Sequence, residues 1–151
     1  MRVNRNKWCF MYEFLDRRLD DLSGPHGFIL SAMRLWVRVA REGQCGCRAL
    51  TQGFVRAGVP EALPDFGMAM MTLDHDAMEH LRFGGPASRC PVTDDEARLL
   101  ALFDAALAGV PARVRRLAAA LVSADAVARL ATSIELVALR LSDGIFMERD
   151  R

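Results

Sequence analysis

Residues 26–42, HGFILSAMRLWVRVARE, decide the fold class. Phe28, Ile29, Leu30, Met33, Leu35, Trp36, Val37 and Val39 spread over an arc too wide for a surface helix, and only Ser31, Arg34, Arg38 and Arg41 make a polar stripe. Apolar residues at helical spacing around most of the circumference mark a central helix with neighbours on several sides. The stripe then reads as its solvated back. Gly43 ends the segment, and Ser23-Gly24-Pro25 separates it from what precedes.

Working outward, the same period recurs almost everywhere. Trp8, Met11, Tyr12, Leu15, Leu19 and Leu22 place a first helix over about 5–22. His26, between Pro25 and Gly27, is expected at a helix start and exposed. A third helix is predicted over 47–57, closed by Gly58, and Pro60 and Pro64 bracket a short turn. The fourth is predicted from Asp65 to Leu81, with Met68, Met70, Met71 and Met78 expected mainly in the core. Residues 83–91, FGGPASRCP, are a loop. Thr93-Asp94-Asp95-Glu96 is a capping box opening a helix to Ala108, with Gly109 after it and Pro111 in the first turn of the next. The Ala/Leu/Arg-rich remainder breaks at Ser123-Ala124-Asp125, where Ser123 or Asp125 can cap a final helix. That helix carries Val127, Leu130, Ile134, Val137 and Leu141 on one face. Alternating β-patterned runs, internal repeats and long linkers are absent. The expected fold is all-α: a single-domain irregular helical bundle of six to seven helices over residues 1–151.

Composition agrees. At 151 residues with 52% hydrophobic and 26% charged residues, the chain has core material that disordered chains lack, and should bury roughly two-thirds of its unfolded surface. A net charge of +1 argues against a dedicated nucleic-acid binder. The charge is uneven along the chain: net +4 over 1–48, −5 over 49–96 and +2 over 97–151. The longest apolar candidate for a membrane span, Phe28–Ala40, is cut by Arg34 and Arg38. The N-terminal apolar run Trp8–Tyr12 is too short for an export signal, and the four cysteines read as reduced thiols. The expected location is cytoplasmic.

Two constellations could carry chemistry. On a helix running to Leu81, His75 would face Glu79 and Asp76 would face His80, each four residues apart. Imidazole and carboxylate at that spacing suit a divalent ion, although the pattern is neither HExxH nor the Glu-x-x-His of di-iron bundles. The second is Cys45-Gly46-Cys47 with Cys90, a thiol set that His75 or His80 could complete. Together they define a candidate zinc or iron site of His75, Glu79, His80, Cys45, Cys47 and Cys90. Nucleophile elbows, phosphate loops and dinucleotide fingerprints are missing. A helix-turn-helix over Leu50–Ala69 places Pro64 inside the recognition helix, leaving Arg34, Arg38 and Arg41 as the one candidate phosphate-contacting stripe.

The expected function is a non-catalytic protein–protein interaction or regulatory module that forms a homo-oligomer or meets a protein partner through exposed apolar residues, with no membrane partner; a regulator binding nucleic acid through Arg34, Arg38 and Arg41 is the weakest reading. The alternative is a metal-binding protein.

Overall fold

The computed structural model describes residues 13–22, 24–85 and 90–144. Six α-helices lie among them: α1 (Gly24–Arg41), α2 (Gly46–Arg56), α3 (Leu63–Asp76), α4 (Asp94–Leu107), α5 (Pro111–Ala119) and α6 (Val127–Ser142). Single 3₁₀ turns occupy Leu19–Asp21, Pro60–Ala62 and Ala124–Ala126. The fold is an all-α bundle without strands among the described residues; two isolated backbone bridges are its only sheet-like pairings there. α6 packs on α3, α4 and α5, while α1 packs on α2 and α4. Ile29, Leu30 and Met33 of α1, Phe54 of α2, Phe66 of α3, Leu99, Leu100, Leu102 and Phe103 of α4, and Leu130, Ile134 and Leu141 of α6 are fully buried.

The central helix is where residues 26–42 placed it, and Gly43, Gly58 and Gly109 leave their helices at φ +74°, +75° and +71°. The capping box is complete. Thr93 Oγ1 accepts from Glu96 N at 3.1 Å, and Glu96 Oε1 accepts from Thr93 N at 2.9 Å. Thr93 also donates to the Arg82 carbonyl at 2.8 Å, fastening the preceding segment. Thr93→Ala should therefore cost about 1 kcal/mol, lowering the thermal midpoint by roughly 2–4 °C for a chain of this size. Thr93→Ser, which keeps the oxygen, should melt close to the parent. Ser123 and Asp125 do not cap α6 by side-chain hydrogen bonds; the 3₁₀ turn leads directly into it.

Four expectations are corrected. The first helix was expected to reach Leu22, but residues 13–16 form a turn with Asp16 at φ +60°, in the left-handed region that stops a helix. The rest of that helix, with Trp8 and Cys9, lies outside the described residues. α3 ends at Asp76, five residues short of Leu81. Ala77 turns extended (ψ 133°) and bridges Val122, with Met78 N donating to Leu121 O at 3.0 Å and Ser123 N to Asp76 O at 2.9 Å. Pairing with a distant segment replaces the helical hydrogen bonds there.

Arg34 is not on a solvated stripe. It is buried, and its Nε and Nη2 donate to Glu96 Oε2 and Oε1 at 2.8 and 3.0 Å. Nη2 also reaches the Cys90 and Pro91 carbonyls at 3.2 and 3.3 Å. His26 is half-buried, its ring tilted at 34° against Phe14 with centroids 5.1 Å apart and hydrogen-bonded through Nε2 to Asp104 Oδ1 at 2.9 Å.

Candidate functional site

A cleft of about 750 Å³ opens between the C-terminal half of α1, the start of α2, α3, and the extended segment that follows it. Trp36, Val37 and Ala40 of α1 make one wall, and Met70, Met71 and Leu73 of α3 another. Met78, Leu81 and Phe83 close a third side, and Arg41, Asp74, Glu79 and His80 supply the polar rim.

Small residues let these walls meet. A Cβ at Gly46 would stand 2.3 Å from the Trp36 ring, so the first turn of α2 lies directly on the indole. A Cβ at Gly67 would stand 2.8 Å from Cys47 Sγ and 3.5 Å from the Trp36 ring edge. The Cys47 thiol therefore rests over Gly67 of α3, beside Trp36. Burial raises its pKa above the ordinary thiol value, and the nearby Cys45 adds to the rise. Trp36 itself is braced by an edge contact to Phe66 at 6.3 Å.

Of the six residues expected to hold zinc or iron, Cys45, Cys47, Glu79 and His80 border this cleft. His75 is exposed on the last turn of α3 and does not line it, and neither does Cys90, whose sulfur lies beside Gly85 and whose carbonyl is held by Arg34. The four-residue spacing of His75–Glu79 and Asp76–His80 has no helical meaning, because the helix is over by Ala77. Asp76 turns instead to Arg129 of α6 at 3.6 Å. Among the described residues no group of three or more His, Cys, Asp or Glu is arranged to hold a metal ion.

The phosphate-contacting stripe loses Arg34 to Glu96, which leaves Arg38 and Arg41 exposed on α1. Pro64 falls in the first turn of α3, where proline is tolerated, so the proline does not by itself exclude a helix-turn-helix. The outward residues of α3 are Pro64, Met68, Met71, Asp74 and His75, with no Arg or Lys to meet a phosphate.

A second feature was not anticipated. Three of the four methionines expected mainly in the core, Met68, Met71 and Met78, are 47%, 53% and 59% exposed; Met70 alone is buried. On α6 the solvent face reads Thr132, Leu136, Leu139, Asp143, all exposed, with the two leucines at 38% and 56%. The signal was present in the sequence: both leucines fall off the stripe of Leu130, Ile134, Val137 and Leu141, which is wholly buried. No helix among the described residues is long and apolar enough to cross a membrane. No protein-family model, curated protein or solved structure matches the chain.

Proposed function

We propose that the chain is a non-catalytic protein–protein interaction module whose partner is a second copy of itself, docked along the outer face of α6. The observation that carries this reading is the spacing of that face. Thr132, Leu136, Leu139 and Asp143 follow one another at four, three and four residues, the seam by which one helix lies along another. Two exposed leucines in mid-seam, on a helix that already buries its other side, have no use within one copy.

The charges beside the seam select the partner. When two α6 helices run parallel about a two-fold axis along the seam, Leu136 and Leu139 of each copy meet the same residues of the other. Glu135 then faces Arg140 of the second copy, twice. Neither charge is ion-paired within the chain among the described residues. A self-complementary face of this kind fits an isologous dimer better than an unrelated partner. The helix has 16 residues, so it is about 24 Å long, and the interface falls at the small end of specific ones, which implies an affinity of about micromolar strength.

Sedimentation equilibrium across a concentration series tests the register. The mass should rise from 16.8 kDa toward twice that value, and Leu136→Glu with Leu139→Glu should hold it at the monomer. Glu135→Arg or Arg140→Glu alone should weaken association about fivefold to tenfold by setting like charges opposite each other. The double swap should restore it. A mass fixed at the monomer at every concentration, or a double swap no better than either single one, would refute the proposal.

A further inference from the structure

The cleft holds a sulfur set whose chemistry differs from that of a zinc or iron site. We propose that Cys45 and Cys47, with the Met71 thioether as third donor, form a binding site for a soft monovalent d¹⁰ metal ion, Cu(I) or its mimic Ag(I).

Cys45 and Cys47 both open on the cleft from the first turn of α2, and their sulfurs lie close enough for a charge on one to bear on the other. Gly46 between them is pressed against the Trp36 ring, which fixes the turn that presents both thiols. Cys47 Sγ rests over Gly67 of α3. Side chains on a helix lean back over the turn N-terminal to their own Cα, so Met71, four residues beyond Gly67, leans toward that sulfur. Met71 is half exposed and lines the same cleft.

Structural zinc asks for four donors in a tetrahedron, and the described residues supply no such cluster. A soft monovalent ion is satisfied by two or three sulfurs, and thiolate with thioether is the donor pairing it prefers. Trp36, Leu81 and Phe83 line the walls beside these sulfurs, and the exposed Cys45 leaves the ion a way in from solvent. This site and α6 self-association are independent, because Cys45, Cys47 and Met71 lie outside the α6 seam.

The test is anaerobic titration of the reduced, full-length chain with Cu(I) against a chromophoric Cu(I) chelator, repeated with Ag(I). The Trp8→Phe variant leaves Trp36 as the single tryptophan. One ion per chain should bind and quench Trp36, with X-ray absorption showing sulfur neighbours only. Cys45→Ser with Cys47→Ser should lose binding, whereas Cys9→Ser and Cys90→Ser should retain it; helical circular dichroism confirms that each variant is folded. Met71→Leu should weaken binding and remove one sulfur neighbour. A parent that competes no better than the Cys45→Ser/Cys47→Ser chain, or binding that leaves Trp36 fluorescence unchanged, overturns the assignment.

Discussion

Glu96→Ala should destabilise the chain by about 3–5 kcal/mol, because it strands a buried guanidinium, with a thermal midpoint lowered by roughly 6–20 °C. Arg34 and Glu96 side chains are 3% and 0% exposed. Glu96 also accepts from Gly84 N at 3.1 Å and Thr93 N at 2.9 Å, so the substitution orphans backbone donors as well as Arg34. Arg34 has little in reserve: its Nη1 is buried and meets no partner among the described residues. Replacing both charges with apolar residues, Arg34→Met with Glu96→Leu, should recover part of the loss. The desolvation cost of the pair disappears with it, while the Gly84 and Thr93 amides stay unpaired. Urea unfolding of the three variants checks the order.

The pair also sets an acid limb. Burial pushes the Glu96 carboxyl up, but hydrogen bonds from Arg34, Thr93 and Gly84 and the Arg34 charge outweigh it and hold the group below its ordinary value of 4.5. A carboxylate held low in the folded state stabilises fully above its unfolded value and loses that contribution as pH falls through the folded one. Unfolding free energy should therefore decline below about pH 4.5, and Glu96→Gln should flatten that part of the curve. An unchanged acid limb in Glu96→Gln would show that other carboxylates carry it.

Phe66→Ala should cost about 3–5 kcal/mol as well, through an unfilled cavity. Phe66 is 1% exposed and stands between Phe54 of α2 at 5.5 Å, Phe103 of α4 at 6.4 Å and Trp36 of α1 at 6.3 Å. One ring thus joins four helices and braces the cleft wall. The loss should be visible in denaturant unfolding, accompanied by a weaker near-ultraviolet tryptophan signal as Trp36 loses its neighbour. Phe66→Leu, which keeps most of the volume, should cost under about 1.5 kcal/mol. Equal losses for Ala and Leu would mean that the ring's shape, rather than the space it fills, is what the core requires.

What was legible in the sequence was what neighbours in the chain decide. The apolar arc of α1, the glycines at positive φ and the Thr93–Glu96 box depend on residues a few positions apart, and each stands where it was read. What failed depended on distant partners. Arg34 sits among polar residues spaced along one side of α1, which is the pattern of a solvated back; only Glu96, 62 residues away, makes it a buried residue. α3 stops at Asp76 because Ala77 pairs with Val122, and nothing within residues 72–81 announces that. The early stop undid the His75–Glu79 and Asp76–His80 pairs and swung Glu79 and His80 to the cleft rim. Met68 and Met71 share the outward face of α3 with Asp74 and His75, a mixed face that the methionines made look apolar.

The Glu96 carboxylate has a consequence for how the chain reaches its final form. A box formed by residues three apart can assemble early and alone, yet here the same oxygens are spoken for by a residue on the central helix. Seating α4 before α1 has arrived would strip an anion of water with no counter-charge in place, and seating α1 first would do the same to a cation. Partly assembled forms holding one helix without the other are thereby penalised. Docking the two helices together avoids both costs.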